Sequence, residues 1–266
     1  NPAPRKVVFV GEEADSLSSG GVMKEEVYKY TNEVDVTRLY DVLHTCNFSH
    51  VLQAINSNEH QWLNHMGHAD LYMDMFFMPP MVSRATNTTL FIGYTQGCYA
   101  GSFDGRMGYD IPMGIDSIVE FFTFKTPNFA FAYIANTRFG FYLQGRVDGP
   151  SNVYDWEFAD AIFSENIANI GWANDDSRED CIGMLSYENM MRYVFYEITL
   201  FGDPHTPLRF VDDPIDDDDD DDDDDATPDD DDDDDTLDDD ATDDDTTDDD
   251  AIDDDDDNDN DDGCGC

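Results

Sequence analysis

The chain has 266 residues and a formal net charge of −50, which is distributed very unevenly along it. Residues 1–211 carry a net charge of −14, whereas residues 212–266 hold 36 aspartates and no lysine or arginine. A surface this acidic repels phosphate, which excludes nucleic acid as a partner. No stretch has the length and apolarity of a membrane span or the pattern of a signal peptide, so we expect no membrane span in this chain.

The two parts of the chain predict two kinds of structure. Residues 1–211 hold nearly all of the apolar side chains and are long enough for one domain with a core. Residues 212–266 cannot offset their chain entropy, and their charges repel one another, which predicts a disordered poly-aspartate linker ending in Gly-Cys-Gly-Cys. We expect no cofactor, only weak association of divalent cations with these aspartates, because no calcium-loop glutamate follows them.

The predicted elements of the first part alternate between strands and helices. Strands are predicted at residues 6–10, 34–40 and 129–135, and in the two apolar runs that begin at Trp62 and Leu90. Helices are predicted at residues 23–31, 48–55, 115–122, 154–170 and 183–197, with Ser49 as the N-cap of the second helix. This alternation predicts an α/β fold with a mostly parallel sheet and helices on both faces.

Two of the predicted strands end close to candidate reactive groups. One run leads from Trp62 to His68, and the other leads from Leu90 to Cys98. The carboxyl ends of parallel strands meet at one edge of a sheet, so neighbouring strands would bring the imidazole and the thiol together there. A thiol beside an imidazole is the minimum for covalent acyl transfer, because the thiolate attacks and the base sets its ionisation.

Each of these residues also has a simpler interpretation. A single histidine is more often structural than catalytic, and a single cysteine more often packs as a small apolar residue. The neighbouring small residues favour chemistry, because Gly67, Ala69 and Gly97 leave room for a substrate backbone beside His68 and Cys98.

A metal site is the third interpretation of the first run. His65 and His68 lie three residues apart, with Asp70 and Asp74 nearby. Aligning these side chains on one ion requires a helix, whereas the preceding apolar run predicts a strand, so we expect no metal site.

At these motifs the sequence resembles the catalytic domain of the gingipain family of cysteine peptidases, which are relatives of caspases and legumains. The resemblance extends from about Arg5 to Phe210 and implies a caspase-like three-layer domain that lacks an upstream subdomain. It rests on three ordered motifs, Asn64-His65-Met66-Gly67-His68, Cys98-Tyr99-Ala100-Gly101-Ser102-Phe103 and Leu200-Phe201-Gly202-Asp203-Pro204.

The resemblance implies a role for each residue of the catalytic centre. Cys98 would be the nucleophile, and His68 would be its proton-transfer partner. Glu13 matches the acidic residue that orients the histidine, with Glu12 as the competing candidate. The oxyanion would be held by the backbone N–H groups of Cys98 and of Ala69, which stands where the family usually has glycine.

The resemblance also implies a specificity pocket. Lys24 matches the position of the aspartate at the pocket floor of gingipains that cut after arginine, so arginine specificity is not expected here. Phe141 or Tyr142 matches the aromatic lid of the pocket, with packing in the core as the alternative for both.

Together these expectations describe a secreted or bacterial cell-surface cysteine endopeptidase that acts on protein or peptide substrates through a thioester. The alternatives are an inactive surface or adhesion module on the same fold, and a thiol-dependent transpeptidase. The Gly-Cys-Gly-Cys sequence resembles the start of carboxyl-terminal sorting signals, which implies surface attachment through a further C-terminal extension. Cys46 and Cys181 are interpreted as buried thiols, with a disulfide between them as the alternative.

Overall fold

A computed structural model describes residues 4–31, 34–108, 111–186 and 189–208 of the chain. The predicted boundary at Val211 and the predicted linker at residues 212–266 lie outside these described residues.

The domain is built around a central sheet. The strands in the described residues are β1 (Lys6–Gly11), β2 (Glu13–Asp15), β3 (Ser18–Ser19), β4 (Asp35–Tyr40), β5 (Trp62–Met66), β6 (Phe91–Thr95), β7 (Arg106–Met107), β8 (Ile111–Pro112), β9 (Ala130–Asn136) and β10 (Ile198–Phe201). Six of them form the central sheet, in the order β10-β9-β6-β5-β1-β4. Five of these six strands are parallel, and β10 runs antiparallel to β9 at one edge. This topology confirms the predicted α/β fold with a mostly parallel sheet.

Helices cover both faces of this sheet. They are α1 (Gly20–Tyr28), α2 (Phe48–Asn56), α3 (Pro79–Val82), α4 (Ile118–Thr123), α5 (Pro150–Phe163), α6 (Ile170–Asp180) and α7 (Asn189–Glu197). Helices α1, α5, α6 and α7 pack on one face, and α2, α3 and α4 pack on the other, which produces three layers. None of the helices in the described ranges is long and apolar enough to cross a membrane.

The central strands are mostly apolar because each one is buried on both faces, and the buried polar exceptions include Asn64 and His65 in β5 and Thr95 in β6. Along β1, Val7 and Phe9 pack into the core with α5, whereas Val8 and Val10 pack into the core with α2. Side chains alternate between the two faces of a strand, so a strand between two helical layers favours a continuous apolar run.

Some of the predicted element boundaries are wrong. The N-cap of α2 is Asn47 rather than Ser49, since the Asn47 side chain accepts a hydrogen bond from the His50 N–H at 3.2 Å. The helix predicted at residues 154–170 ends at Phe163, and α6 begins at residue 170. Asn166, between these two helices, has a φ of 60°, a left-handed conformation that does not continue an α-helix.

The register of the central strands brings three chain segments to one edge of the sheet. Gly11 at the end of β1 pairs with Met66 of β5, and His65 of β5 pairs with Thr95 of β6. The segments that follow β1, β5 and β6 therefore emerge side by side, as expected for parallel strands. Elsewhere in the domain, Cys46 and Cys181 are separate thiols, so the alternative of a disulfide between them is wrong.

Candidate active site

His68 and Cys98 line the same cleft at the carboxyl edge of the sheet. His68 follows β5 and Cys98 follows β6, and these two strands are direct neighbours. The cleft is lined by Ala14, Met66, Gly67, His68, Gln96, Cys98, Gly140, Phe141, Tyr142 and Ser151. The structure thus brings together the two residues that the strand pattern pointed to.

A backbone carbonyl group orients the imidazole of His68. Its Nε2 atom lies 2.9 Å from the carbonyl oxygen of Ala14 in β2, so Nε2 carries the proton of this hydrogen bond. In the neutral ring the other nitrogen, Nδ1, then has the free lone pair. His68 can therefore take up a proton at Nδ1 without losing the contact that fixes its ring.

The structure does not bring the Glu13 carboxylate to His68. The Glu13 side chain is exposed, and its backbone N–H donates a hydrogen bond to the Asp41 carboxylate at 2.8 Å. The competing candidate, Glu12, is also engaged elsewhere, because its Oε1 atom lies 3.0 Å from Nε2 of His65. The position next to the His68 ring is taken by the Ala14 carbonyl oxygen, which the sequence analysis did not identify.

Backbone groups surround the sulfur atom of Cys98. The N–H of Gly140 donates a hydrogen bond to Cys98 Sγ at 3.3 Å. The next residue, Tyr99, has a φ of 56°, which is costly for a residue with a large side chain. The surroundings hold this conformation, because Tyr99 donates from its backbone to the Arg138 carbonyl and from its hydroxyl to the Gly108 carbonyl.

The two segments proposed to hold the oxyanion lie against each other. A Cβ atom built on Gly97 would lie 2.3 Å from the Ala69 Cβ and 3.2 Å from the Ala69 nitrogen, so only glycine fits at position 97. Ala69 itself has a negative φ, so an alanine there carries no backbone strain. The backbone N–H groups of Ala69 and Cys98 thus belong to two segments in direct contact.

The structure places Lys24 in the core of the domain and not on the floor of the cleft. Lys24 is completely buried in α1, where its ammonium group pairs with Asp155 and donates to Asn64 Oδ1 at 2.5 Å. Burial lowers the pKa of Lys24, and the Asp155 carboxylate opposes this shift. Because α1 begins at Gly20, Lys24 lies one turn into the helix, next to the sheet, and it does not itself line the cleft.

Gln96 lines the cleft and was missed by the sequence analysis. Its Nε2 atom donates to the Asp155 carboxylate at 2.6 Å, which turns its Oε1 atom away from that carboxylate. Oε1 is buried and accepts no hydrogen bond from the described residues. Its position in the sequence could have identified it, because Gln96 is a polar residue directly after the buried strand β6.

Phe141 and Tyr142 both line the cleft. The Tyr142 hydroxyl donates to the Asp15 carboxylate at 2.9 Å, and Gln144 donates to the same carboxylate at 3.3 Å. Hydrogen bonds, chiefly from the Leu17 backbone N–H, lower the pKa of Asp15. These bonds join the β2–β3 hairpin, which carries Ala14, to the segment at residues 140–145.

Comparisons with known proteins place the chain in a family. Among solved structures it is similar to the crystal structure of caspase-1 from Spodoptera frugiperda, with 10% identity, a TM-score of 0.42, and coverage of 76% of this chain and 88% of that chain. A search of curated proteins gave no match. The model of peptidase family C25 matches residues 2–209, most of the chain, and confirms the resemblance seen in the motifs. The chain therefore belongs to peptidase family C25 and is a cysteine peptidase.

Proposed function

We propose that the protein is a secreted or surface-held endopeptidase in which Cys98 forms a thioester with the substrate. The observation that carries this proposal is that His68 and Cys98 line one cleft, with the His68 ring anchored through Nε2 to the Ala14 carbonyl. The remaining ring nitrogen, Nδ1, is then the atom that exchanges protons during the reaction.

The reaction follows from this arrangement in two balanced steps. The reduced Cys98 thiol transfers its proton to His68, and Sγ attacks the carbonyl carbon of the scissile peptide bond. The negative charge on the carbonyl oxygen accepts hydrogen bonds from the N–H groups of Ala69 and Cys98. The C–N bond then breaks, and the imidazolium gives its proton to the leaving amine. In the second step water attacks the thioester, His68 takes the proton of the water, and the thiol leaves with a proton.

The lining of the cleft favours substrates with a hydrogen-bond donor in the P1 side chain. Gln96 Oε1 offers a buried acceptor that is not used by the described residues. A donor such as an amide, ammonium or guanidinium group would satisfy this acceptor, whereas a carboxylate would leave it unpaired. The aromatic rings of Phe141 and Tyr142 would contact the apolar part of the same side chain.

The proposed location rests on the acidic C-terminal part of the sequence and its Gly-Cys-Gly-Cys end. Brief protease treatment of intact source cells, followed by immunodetection of the catalytic domain, tests it. Loss of the domain from treated cells, or its recovery from the medium, is expected. A domain that remains fully protected until the cells are lysed would contradict secretion and surface display.

Covalent labelling tests the proposed chemistry directly. The full chain is reduced, the reductant is removed, and peptidyl acyloxymethyl ketones that differ only in P1 are added. We expect one adduct at Cys98, formed fastest with a donor-bearing P1 residue and absent in Cys98→Ala. The matched control Cys46→Ala keeps full labelling.

The same experiment distinguishes the alternatives. Absence of an adduct from a folded, reduced protein would overturn the peptidase mechanism and favour the inactive surface module. Efficient labelling combined with transfer of the acyl group to an added amine, in place of hydrolysis, would favour the transpeptidase.

A further inference from the structure

A buried charged network lies beneath the loop that carries His68. At its centre His65 in β5 has no exposed surface, and its ring lies between two carboxylates. The distances are 2.9 Å from Nδ1 to Asp74 Oδ1 and 3.0 Å from Nε2 to Glu12 Oε1. Burial favours the neutral ring, but the two carboxylates raise the pKa of His65 to about 9, so it is an imidazolium at neutral pH.

The network extends from His65 to the segment that carries Cys98. The Thr95 hydroxyl lies 2.8 Å from His65 Nδ1 and donates to Asp74 Oδ1 at 2.9 Å. The Thr95 Oγ1 atom also accepts a hydrogen bond from the N–H of Gly97 at 3.1 Å. The peptide group between Gln96 and Gly97, one residue before Cys98, is therefore held through Thr95 by the charged network.

The network also fixes both ends of the loop that carries His68. At the start of the loop, a Cβ on Gly67 would lie 2.5 Å from His65 Nε2, so this turn packs directly on the imidazole. At the far end Asp74 is buried, accepts from the Tyr133 hydroxyl at 3.0 Å, and exchanges two backbone hydrogen bonds with Phe77. The loop between these anchors contains His68 and Ala69.

We propose that His65 is a positioning residue that holds the two oxyanion-binding segments, at Ala69 and at Gly97–Cys98, in the geometry needed for the transition state. From His65, one set of hydrogen bonds leads through the Thr95 hydroxyl to Gly97, and another leads through the Asp74 carboxylate to the loop that carries Ala69. These two segments meet where Gly97 contacts Ala69. This inference rests on the proposed peptidase function.

The role of His65 has a specific kinetic signature. The N–H groups of Ala69 and Cys98 act on the oxyanion, which is fully formed only in the transition state and the tetrahedral intermediate. Loss of their alignment lowers kcat and leaves KM nearly unchanged. Alkylation of Cys98 by iodoacetamide forms no oxyanion, so its rate does not depend on this alignment.

Two variants remove the network at different points, and each has a matched control. His65→Gln removes the buried cation, and Thr95→Val removes the hydroxyl that holds Gly97 while keeping the side-chain shape. His60→Gln makes the same change as the first variant at a half-buried histidine bonded to Thr37, and Thr95→Ser keeps the hydroxyl. All proteins are compared as the full reduced chain, with thermal unfolding measured in parallel.

We expect kcat to fall about tenfold to a hundredfold in His65→Gln and in Thr95→Val, with KM within about twofold of the wild type. The iodoacetamide rate at Cys98 stays within about twofold, and both controls keep the wild-type kcat. An unchanged kcat in folded Thr95→Val, or parallel losses of kcat and alkylation rate, would overturn the inference. A wild-type protein without Cys98-dependent turnover would instead overturn the proposed function, so the two failures are distinguishable.

Discussion

The Nε2 atom of His68 donates its hydrogen bond to the carbonyl oxygen of Ala14, at 2.9 Å, and not to a carboxylate side chain. A backbone acceptor orients the ring as a carboxylate does, but it adds no full negative charge beside the imidazolium that would form in the proposed reaction. It is also insensitive to side-chain substitution. In the proposed catalytic centre, the group that orients His68 is thus supplied by the fold of the β2–β3 hairpin.

The first prediction concerns the acidic residues before Ala14. Glu13→Ala should keep kcat/KM within about twofold of the wild type, because the Glu13 carboxylate is exposed and His68 is held by a backbone group. Steady-state kinetics with one peptide substrate tests this expectation. A loss of a hundredfold or more in a folded Glu13→Ala protein would show that the carboxylate reaches His68 during turnover.

The second prediction concerns the buried pair of Lys24 and Asp155. Lys24→Met leaves a buried carboxylate without its counter-ion and should lower the free energy of unfolding by about 3–5 kcal/mol, measured by urea denaturation. Lys29→Met removes one partner of an exposed pair with Glu26 and should cost less than about 1 kcal/mol. If Lys24→Met kept the wild-type stability but changed the P1 preference, Lys24 would lie at the floor of the specificity pocket.

The third prediction concerns substrate selection by Gln96. Gln96→Leu removes the buried acceptor and should reduce kcat/KM for a P1 glutamine or lysine substrate by about tenfold or more. A P1 norleucine substrate, which has no donor, should be cleaved at least as well as by the wild type. Equal changes for all P1 residues in this series would show that Gln96 Oε1 does not contact the substrate side chain.

The fourth prediction concerns the pH dependence of stability. Glu197 is buried, and burial raises its pKa from 4.5 to about 9 against a smaller opposing effect of the Arg138 backbone N–H. The folded state thus keeps a proton that the unfolded state releases, so this group lowers stability as the pH rises from about 4.5 to about 9.

Glu197→Gln should accordingly flatten the decline of the urea midpoint between pH 5.5 and pH 8.5. The exposed Glu179→Gln serves as the matched control and should keep the wild-type slope. If the two variants had identical slopes, the Glu197 carboxyl would be ionised in the folded protein.

The fifth prediction concerns the reactivity of the domain cysteines. Burial is the main cause that raises the pKa of the Cys46 thiol and brings the pKa of Cys181 to about 12, so both are poor nucleophiles at neutral pH. In the reduced chain, iodoacetamide at pH 7 should modify Cys98 first, as measured by peptide mapping. Modification of all three residues at one slow rate would contradict an activated Cys98.

The position of His68 and Cys98 could be predicted from the sequence because it depends on local information. Each residue follows an apolar run, and parallel strands bring such strand ends to one edge of the sheet. The antiparallel β10 was not predicted, because its few residues, Ile198–Phe201, directly follow α7 and contain no separate strand signal. Only its pairing with β9 in the folded domain defines it.

The partners of the site could not be predicted for a different reason. The burial of Lys24 depends on Asp155, 131 positions away in the sequence, and the acceptor of the His68 hydrogen bond is a backbone atom with no residue signature. Lys24 and Glu13 were assigned to family positions from sequence spacing alone. Sequence spacing does not show which side chains face the cleft, because tertiary contacts decide this.

The contact between Gly97 and Ala69 has a consequence for how these two positions vary. The space between the two segments accommodates one methyl group, and Ala69 already fills it. A second methyl from Gly97→Ala would force the segments apart, whereas the double exchange Gly97→Ala with Ala69→Gly keeps the number of methyl groups constant. The two positions are therefore coupled by volume, and substitutions that are harmful one at a time should compensate each other when made together.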